Sequence, residues 1–361
     1  MKITEITPFA LDLPLRTASA SYAGRVRTSL PMLLVRVRTD AGLTGWGEAF
    51  AFNLRSATWA ALKDEVIPRC LGQDSGRITA LAEGIRRALR NSKAGPLGWA
   101  IAAVEVALWD IAGKAAGLPL SRLLGGAAGE AVPVYASLVR FGEPAVAAAR
   151  AAQALDEDYR AVKLHELEWE PIAEVRRAVG ETTPLMLDIS SAWSVGHAVA
   201  MARRLADLRP LWLEEPTWPP EDVAALARVA REGGLPLAAG ENATSVSDLR
   251  LLCEQAGLSW LQPSLLKLGG IGPMAKALAL AEAFNLPAAP HCYYLGPGLL
   301  ATLHLAATAG GETLVEHAVF DLEARPYDGA LALRDGALPL PDGPGLGLDP
   351  DPALLTRYAA G

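Results

Sequence analysis

The chain has 361 residues, of which 51% are hydrophobic and 20% charged, with a net charge of −7. Its length exceeds what one typical core supports, so a large barrel with an appended domain, or two domains, is expected. No stretch approaches the ~18 unbroken apolar residues of a membrane span, and the lack of a basic run argues against nucleic acid, since phosphate binding needs clustered Lys and Arg.

The opening stretch MKITEITPFALDLPL reads as a strand with proline interruptions and lacks the features of an export signal, so a soluble cytoplasmic protein is expected. MLLVRVRTDAGLTGWGEAF predicts two strands joined by a glycine turn. GWAIAAVEVALWDIAGKAAGLPLSRLLGG predicts a helix ending near Gly117 and Pro119, then a short helix stopped by Gly125 and Gly126. Cys70, Cys253 and Cys292 are odd in number and in no zinc spacing, which predicts reduced thiols.

After residue 128 a rhythm begins. VPVYASL, AVKLHEL, PLMLDIS, LWLEEP, PLAAGEN, WLQPSLL, LPAAPHC and TLVEHAV read as eight strands, most of them followed by an Ala/Leu-rich amphipathic helix. That alternation predicts an α/β fold built as a parallel barrel. The final stretch is turn-rich with short strands. Three parts follow: an N-terminal α+β domain over 1–128, the barrel over 129–324, and a C-terminal segment, 325–361, packing back on the first domain.

Polar residues stand at the C-terminal strand ends: Lys163 and His165, Asp188, Glu214, Glu241, Ser264, His291 and Glu316. They recur about every 25 residues, the length of one strand-helix unit, and such strand ends converge on one barrel mouth. Lys163 and His165, two residues apart, share a strand face. A lone acid here more often caps the following helix. Three in register with a lysine, two histidines and another glutamate instead fit a hard cation, Mg²⁺ with Mn²⁺ as the alternative, on Asp188, Glu214 and Glu241. Near a dication the pKa values of Lys163 and His165 should fall toward a range useful to a base. A base beside a metal that binds a carboxylate is the logic of carbanion chemistry.

The stretches VEVALWDIAGKAAGLPLSRLLGG, AVKLHEL, LMLDISSAW, LWLEEP, LAAGEN, LQPSLLKLGGIG, PAAPHCYYLGPGLLATLHLAA and LPDGPGLGLD, in this order, resemble the mandelate racemase and muconate lactonizing enzyme family of the enolase superfamily over nearly the whole chain. The resemblance implies a (β/α)₇β TIM-like barrel under an α+β capping domain whose loops set specificity. It implies Mg²⁺ on Asp188, Glu214 and Glu241, Lys163 and His165 in the Lys-x-Lys position, and His291 as base or acid on the opposite substrate face. Glu316 matches the acid that hydrogen-bonds a substrate carboxylate oxygen. A homo-oligomer is usual for the family.

Two departures stand out. His165 replaces the second lysine, and Ser264 replaces the sixth-strand aspartate that would orient His291 and raise its proton affinity. A lyase is therefore favoured over a symmetrical two-base racemase. The expected reaction is Mg²⁺-dependent removal of a proton α to a carboxylate through an enediolate, as dehydration of a hydroxy carboxylic acid, most simply a sugar acid, with either His165 or Lys163 as base. The alternatives are a racemase or epimerase and a non-catalytic metal or acid binder. Candidate substrate contacts are Ser264, Tyr135, Tyr293 and, from capping loops at residues 16–27 and 50–55, Arg25 and Arg55. Trp193 and Trp218 stand just past metal-bearing strands, where they would wall the mouth or fill the core.

Overall fold

The structure, a computed structural model, describes residues 1–22, 25–92, 94–327 and 329–360, with backbone alone for residues 17–22 and 25–26. Strands β1 (Ile3–Tyr22), β2 (Arg25–Thr39) and β3 (Thr44–Ala49) form an antiparallel sheet in that order. Alternation along β2 sends side chains to opposite faces. Leu33, Val35 and Val37 join a core with the N-terminal helices, while Leu30, Met32 and Leu34 join the core continuous with the barrel. Full burial of each such side chain stabilises the fold by roughly 1.5–3 kcal/mol.

The helix Pro96–Ala116 lies between that sheet and the barrel. It is long and apolar enough to cross a membrane, yet 78% of its apolar window is buried inside the protein. Its approach to β3 requires glycine: a Cβ on Gly47 would sit 1.8 Å from the Ala103 carbonyl oxygen.

The barrel runs β4 (Ala131–Leu138), β5 (Val162–Leu164), β6 (Leu185–Asp188), β7 (Trp212–Glu214), β8 (Leu237–Ala239) and β9 (Trp260–Leu261), with β10 (Val315–Val319) parallel to β4. The expected seventh strand, LPAAPHC, forms only isolated parallel bridges through Ala288 and His291. Pro287 and Pro290 lack an N–H, so that ladder is broken. Their carbonyls still accept from Leu261 N and Glu316 N, and Ala289 N donates to Leu261 O, so residues 287–291 complete the ring.

After β10, the strand β11 (Ala337–Pro339) pairs antiparallel with the start of β4. The chain then returns to the N-terminal elements: Leu346 N donates to Asp110 Oδ1 at 2.8 Å, and Ala360 N donates to Ala10 O at 2.8 Å. Two buried glutamates bind the N-terminal domain to the barrel. Glu48 accepts from Gly296 N and Gly298 N, both at 3.0 Å, at the start of the helix Pro297–Ala306. Glu105 accepts from Ile271 N and Gly272 N at 2.7 and 2.8 Å, at the start of the helix Ile271–Ala283. Each satisfies N–H groups that have no partner inside their own helix.

Candidate active site

Each strand-end residue reaches the mouth because its short strand is buried along its length and ends where the side chain turns polar. Asp188 and Glu214 close β6 and β7. Glu241 stands two residues past β8, after Gly240 at φ +129°, a backbone setting suited to glycine. One oxygen from each of the three acids can be chosen so that all lie within 4.8 Å of one another.

Lys163 is fully buried among carboxylates, its Nζ 2.9 Å from Glu214 Oε1, 2.9 Å from Glu316 Oε1 and 3.2 Å from Asp188 Oδ2. Burial alone would push this lysine down; Glu214 and Glu316 outweigh it and hold the ammonium well above its ordinary range. Burial and neighbouring Asp188 push Glu214 up strongly. Carboxylates crowded this closely fit a hard dication, whose charge would offset their mutual repulsion. The geometry therefore matches the all-oxygen donor set expected of Asp188, Glu214 and Glu241.

Two histidines flank the cluster with different supports. His165 lies just beyond β5, with Nε2 3.0 Å from Asp188 Oδ2 and Nδ1 2.6 Å from Leu138 O. A carbonyl only accepts, so we assign the ring hydrogen to Nδ1, which leaves Nε2 as the basic nitrogen of the neutral ring. Burial lowers its pKa, but Asp188 outweighs that effect and raises it. His291 places Nε2 3.2 Å from Glu241 Oε2 and 3.8 Å from Glu316 Oε2, while Nδ1 meets Ser264 Oγ at 3.0 Å. A hydroxyl donates or accepts equally well and adds no negative charge. Burial dominates, and the His291 pKa is lowered.

Burial pushes Glu316 up, but Lys163 and then His291 outweigh it, and its pKa falls to about 2. Glu316 pairs with Lys163 at 2.9 Å, accepts from Cys292 N at 2.9 Å and lines the cavity, where the resemblance would have an acid meet the substrate carboxylate.

A cavity of about 380 Å³ opens over the cluster and is lined by His165, Asp188, Glu241, His291, Tyr293 and Glu316, among others. Three expected substrate contacts do not line this cavity. Tyr135 is fully buried in the barrel floor, edge-on to Trp212 and under Lys163. Arg55 is half-buried and engaged by Asp12 at 2.8 Å and Leu11 O at 2.7 Å. Ser264 is fully buried behind His291 rather than facing the cavity. The side chain of Arg25 lies outside the described residues. Trp193 is buried, and Trp218 lines the rim.

Lys267 was not expected at the site. It follows Ser264 by one helical turn, within Leu265–Leu268, and its Nζ sits 2.9 Å from Glu241 Oε1 and 5.0 Å from the Phe50 ring centre. Its signal was its place in PSLLKLGG, just past a strand end. Gln262 Nε2 and Trp212 Nε1 both donate to Glu214 Oε2, at 2.7 and 3.0 Å, and fix its orientation.

Comparison with known proteins bears on this geometry. The family model described as mandelate racemase / muconate lactonizing enzyme, N-terminal domain, matches residues 6–125, and that described as enolase C-terminal domain-like matches residues 146–354. The chain belongs to the mandelate racemase/muconate lactonizing enzyme family of the enolase superfamily. Relatives in this family include a D-galactonate dehydratase of Ralstonia pickettii, 36% identical over 349 residues covering 90% of each chain. A 3,6-anhydro-alpha-L-galactonate cycloisomerase of Streptomyces coelicolor is 30% identical over 362 residues, 98% of each. Among solved structures, a racemase from Streptomyces coelicolor with bound magnesium superposes with a TM-score of 0.88 at 28% identity, covering 99% of this chain and 100% of that one. The (β/α)₇β barrel under its capping domain is thus the family fold.

Proposed function

We propose that this chain is a Mg²⁺-dependent dehydratase of a sugar acid, with Mn²⁺ as the alternative cation. The observation that carries the reading is the unequal support of two histidines on one cavity: His165 backed by a carbonyl, His291 by a hydroxyl. The names of the relatives called D-galactonate dehydratase agree with it.

Asp188, Glu214 and Glu241 would hold the cation, which when bound supplies a Lewis acid for negative charge on the substrate carboxylate. His165 takes the α-proton at Nε2, and the electron pair passes into an enediolate. The buried ammonium of Lys163 provides a fixed positive charge, preorganised and unable to rearrange. Lys163 is not the base, because it is fully buried and does not line the cavity. His291 gives a proton to the β-hydroxyl, the C–O bond breaks, and water leaves. The resulting enol gains a solvent hydrogen at C3 and becomes a 2-keto-3-deoxy acid. Holding residues 1–128 as the cap, 129–324 as the barrel and 325–361 as a returning segment agrees with the contacts of Asp110 and Ala10.

The test is incubation of the protein with sugar acids and Mg²⁺ in D₂O, followed by NMR. A 2-keto-3-deoxy product carrying deuterium at C3 is the expected result. Inversion at the α-carbon without water loss would replace this reading with an epimerase.

A further inference from the structure

The cavity has two chemically different halves. At its base lie the polar groups of the cluster: His165 is 3.0 Å from Asp188, His291 3.2 Å from Glu241 and Lys267 2.9 Å from Glu241. Its outer wall is apolar, built from Phe50, Phe52, Leu54 and Trp99 of the capping domain and Trp218 of the loop after β7. The polar groups of that wall include the neutral Asn53 and Thr244. Arg27 stands behind the wall, its guanidinium 4.0 Å from the Phe52 ring centre and its Nη2 2.7 Å from Asn53 Oδ1.

Exposure marks two of these residues. Trp218 and Leu54 are 74% and 62% exposed, the highest values for any large apolar side chain among the described residues, and both sit on this one rim. Single exposed apolar residues are ordinary, but a patch at a cavity mouth marks a binding surface. Leu54 also holds φ +59°, a left-handed setting that a branched side chain adopts at a cost. An indole presents a broad apolar face against which the C–H face of a sugar chain or ring can pack. A second carboxylate pressed against those apolar faces would shed water, at a cost in free energy that a neutral sugar end does not meet.

We propose that this outer half selects monocarboxylic sugar acids over dicarboxylic acids of the same skeleton, with Trp218 and Leu54 as the specificity residues. The inference rests on the sugar-acid reading above and narrows it. The test pairs aldonates with aldarates of matched configuration, with Mg²⁺, and follows product formation and α-hydrogen exchange in D₂O. Wild-type protein should favour the monoacids at least about 100-fold in kcat/KM. Trp218→Ala should raise KM for the monoacid about tenfold while kcat stays within about a factor of two, the signature of lost uniform binding. Leu54→Arg should shift the preference toward the diacid about tenfold or more. Equal or better use of the diacid by wild-type protein, or an unchanged KM in Trp218→Ala, overturns the inference and leaves the dehydratase reading standing. Absence of exchange in every sugar acid, with exchange in a carboxylic acid of another class, overturns both.

Discussion

Among the carboxylates the molecule buries, those at the domain junction and those at the barrel mouth have different partners. In the capping domain, Glu48 and Glu105 face backbone N–H groups at helix starts. Burial outweighs those hydrogen bonds, pushing Glu48 up to about 8 and Glu105 to about 7. At the barrel mouth, Asp188, Glu241 and Glu316 face cationic side chains, which outweigh burial and hold all three below the ordinary carboxylate range. An acid whose partners are backbone is fixed in place and joins domains. Acids that crowd around side-chain cations beside a cavity are set to exchange partners with an incoming cation and substrate. Burial alone does not distinguish the two; the partners do, except at Glu214, which burial and Asp188 push up.

The comparison can be broken first at the mouth. Asp188→Asn should lower kcat by at least about 10³-fold and weaken Mg²⁺ binding measured by calorimetry. Its metal-free thermal midpoint should stay close to that of the wild type, because one member of a crowded carboxylate set has been neutralised. A large loss of metal-free stability would mean that Asp188 is structural, like Glu105.

Glu105→Ala is the converse. It leaves Ile271 N and Gly272 N without partners in a buried setting and should cost about 2–4 kcal/mol by denaturant unfolding. The folded fraction should retain its kcat. A drop in kcat with little change in stability would contradict the division.

The smallest effect is in the pH dependence. Unfolded glutamate titrates at about 4.3, so the folded values of about 8 for Glu48 and about 7 for Glu105 are raised. Raised acids bind protons more tightly in the fold, so their contribution is complete below the unfolded pKa and is lost as pH rises through the folded values. The thermal midpoint should fall by a few degrees between pH 6 and 9, and Glu48→Gln should flatten part of that fall. A midpoint that rises over this window in the wild type would refute the assignment.

Much of the mouth was legible in the chain. Strand ends recur at one spacing, and a polar residue closing an apolar run has nowhere to go but the mouth. What escaped depended on partners far along the sequence. Arg55 looked free to meet an anion, but its partner Asp12 is 43 residues away on β1. Tyr135 belongs to the floor because it lies three residues short of the end of β4, a layer below Ser137, which is in register with Lys163. The distinction between Lys163 and His165 rested on Leu138 O, which belongs to the neighbouring strand. Glu105 stood within a motif whose resemblance was plain, but its task, holding a helix start 166 residues on, required the fold.

The central claim is that His165 removes the α-proton while His291 serves the departing hydroxyl. The most direct test is α-hydrogen exchange in D₂O by His291→Ala and His165→Ala with a turned-over sugar acid and Mg²⁺. The account predicts that His291→Ala still washes deuterium into the α-position while forming little product, and that His165→Ala does neither. Exchange that survives in His165→Ala and vanishes in His291→Ala would contradict it.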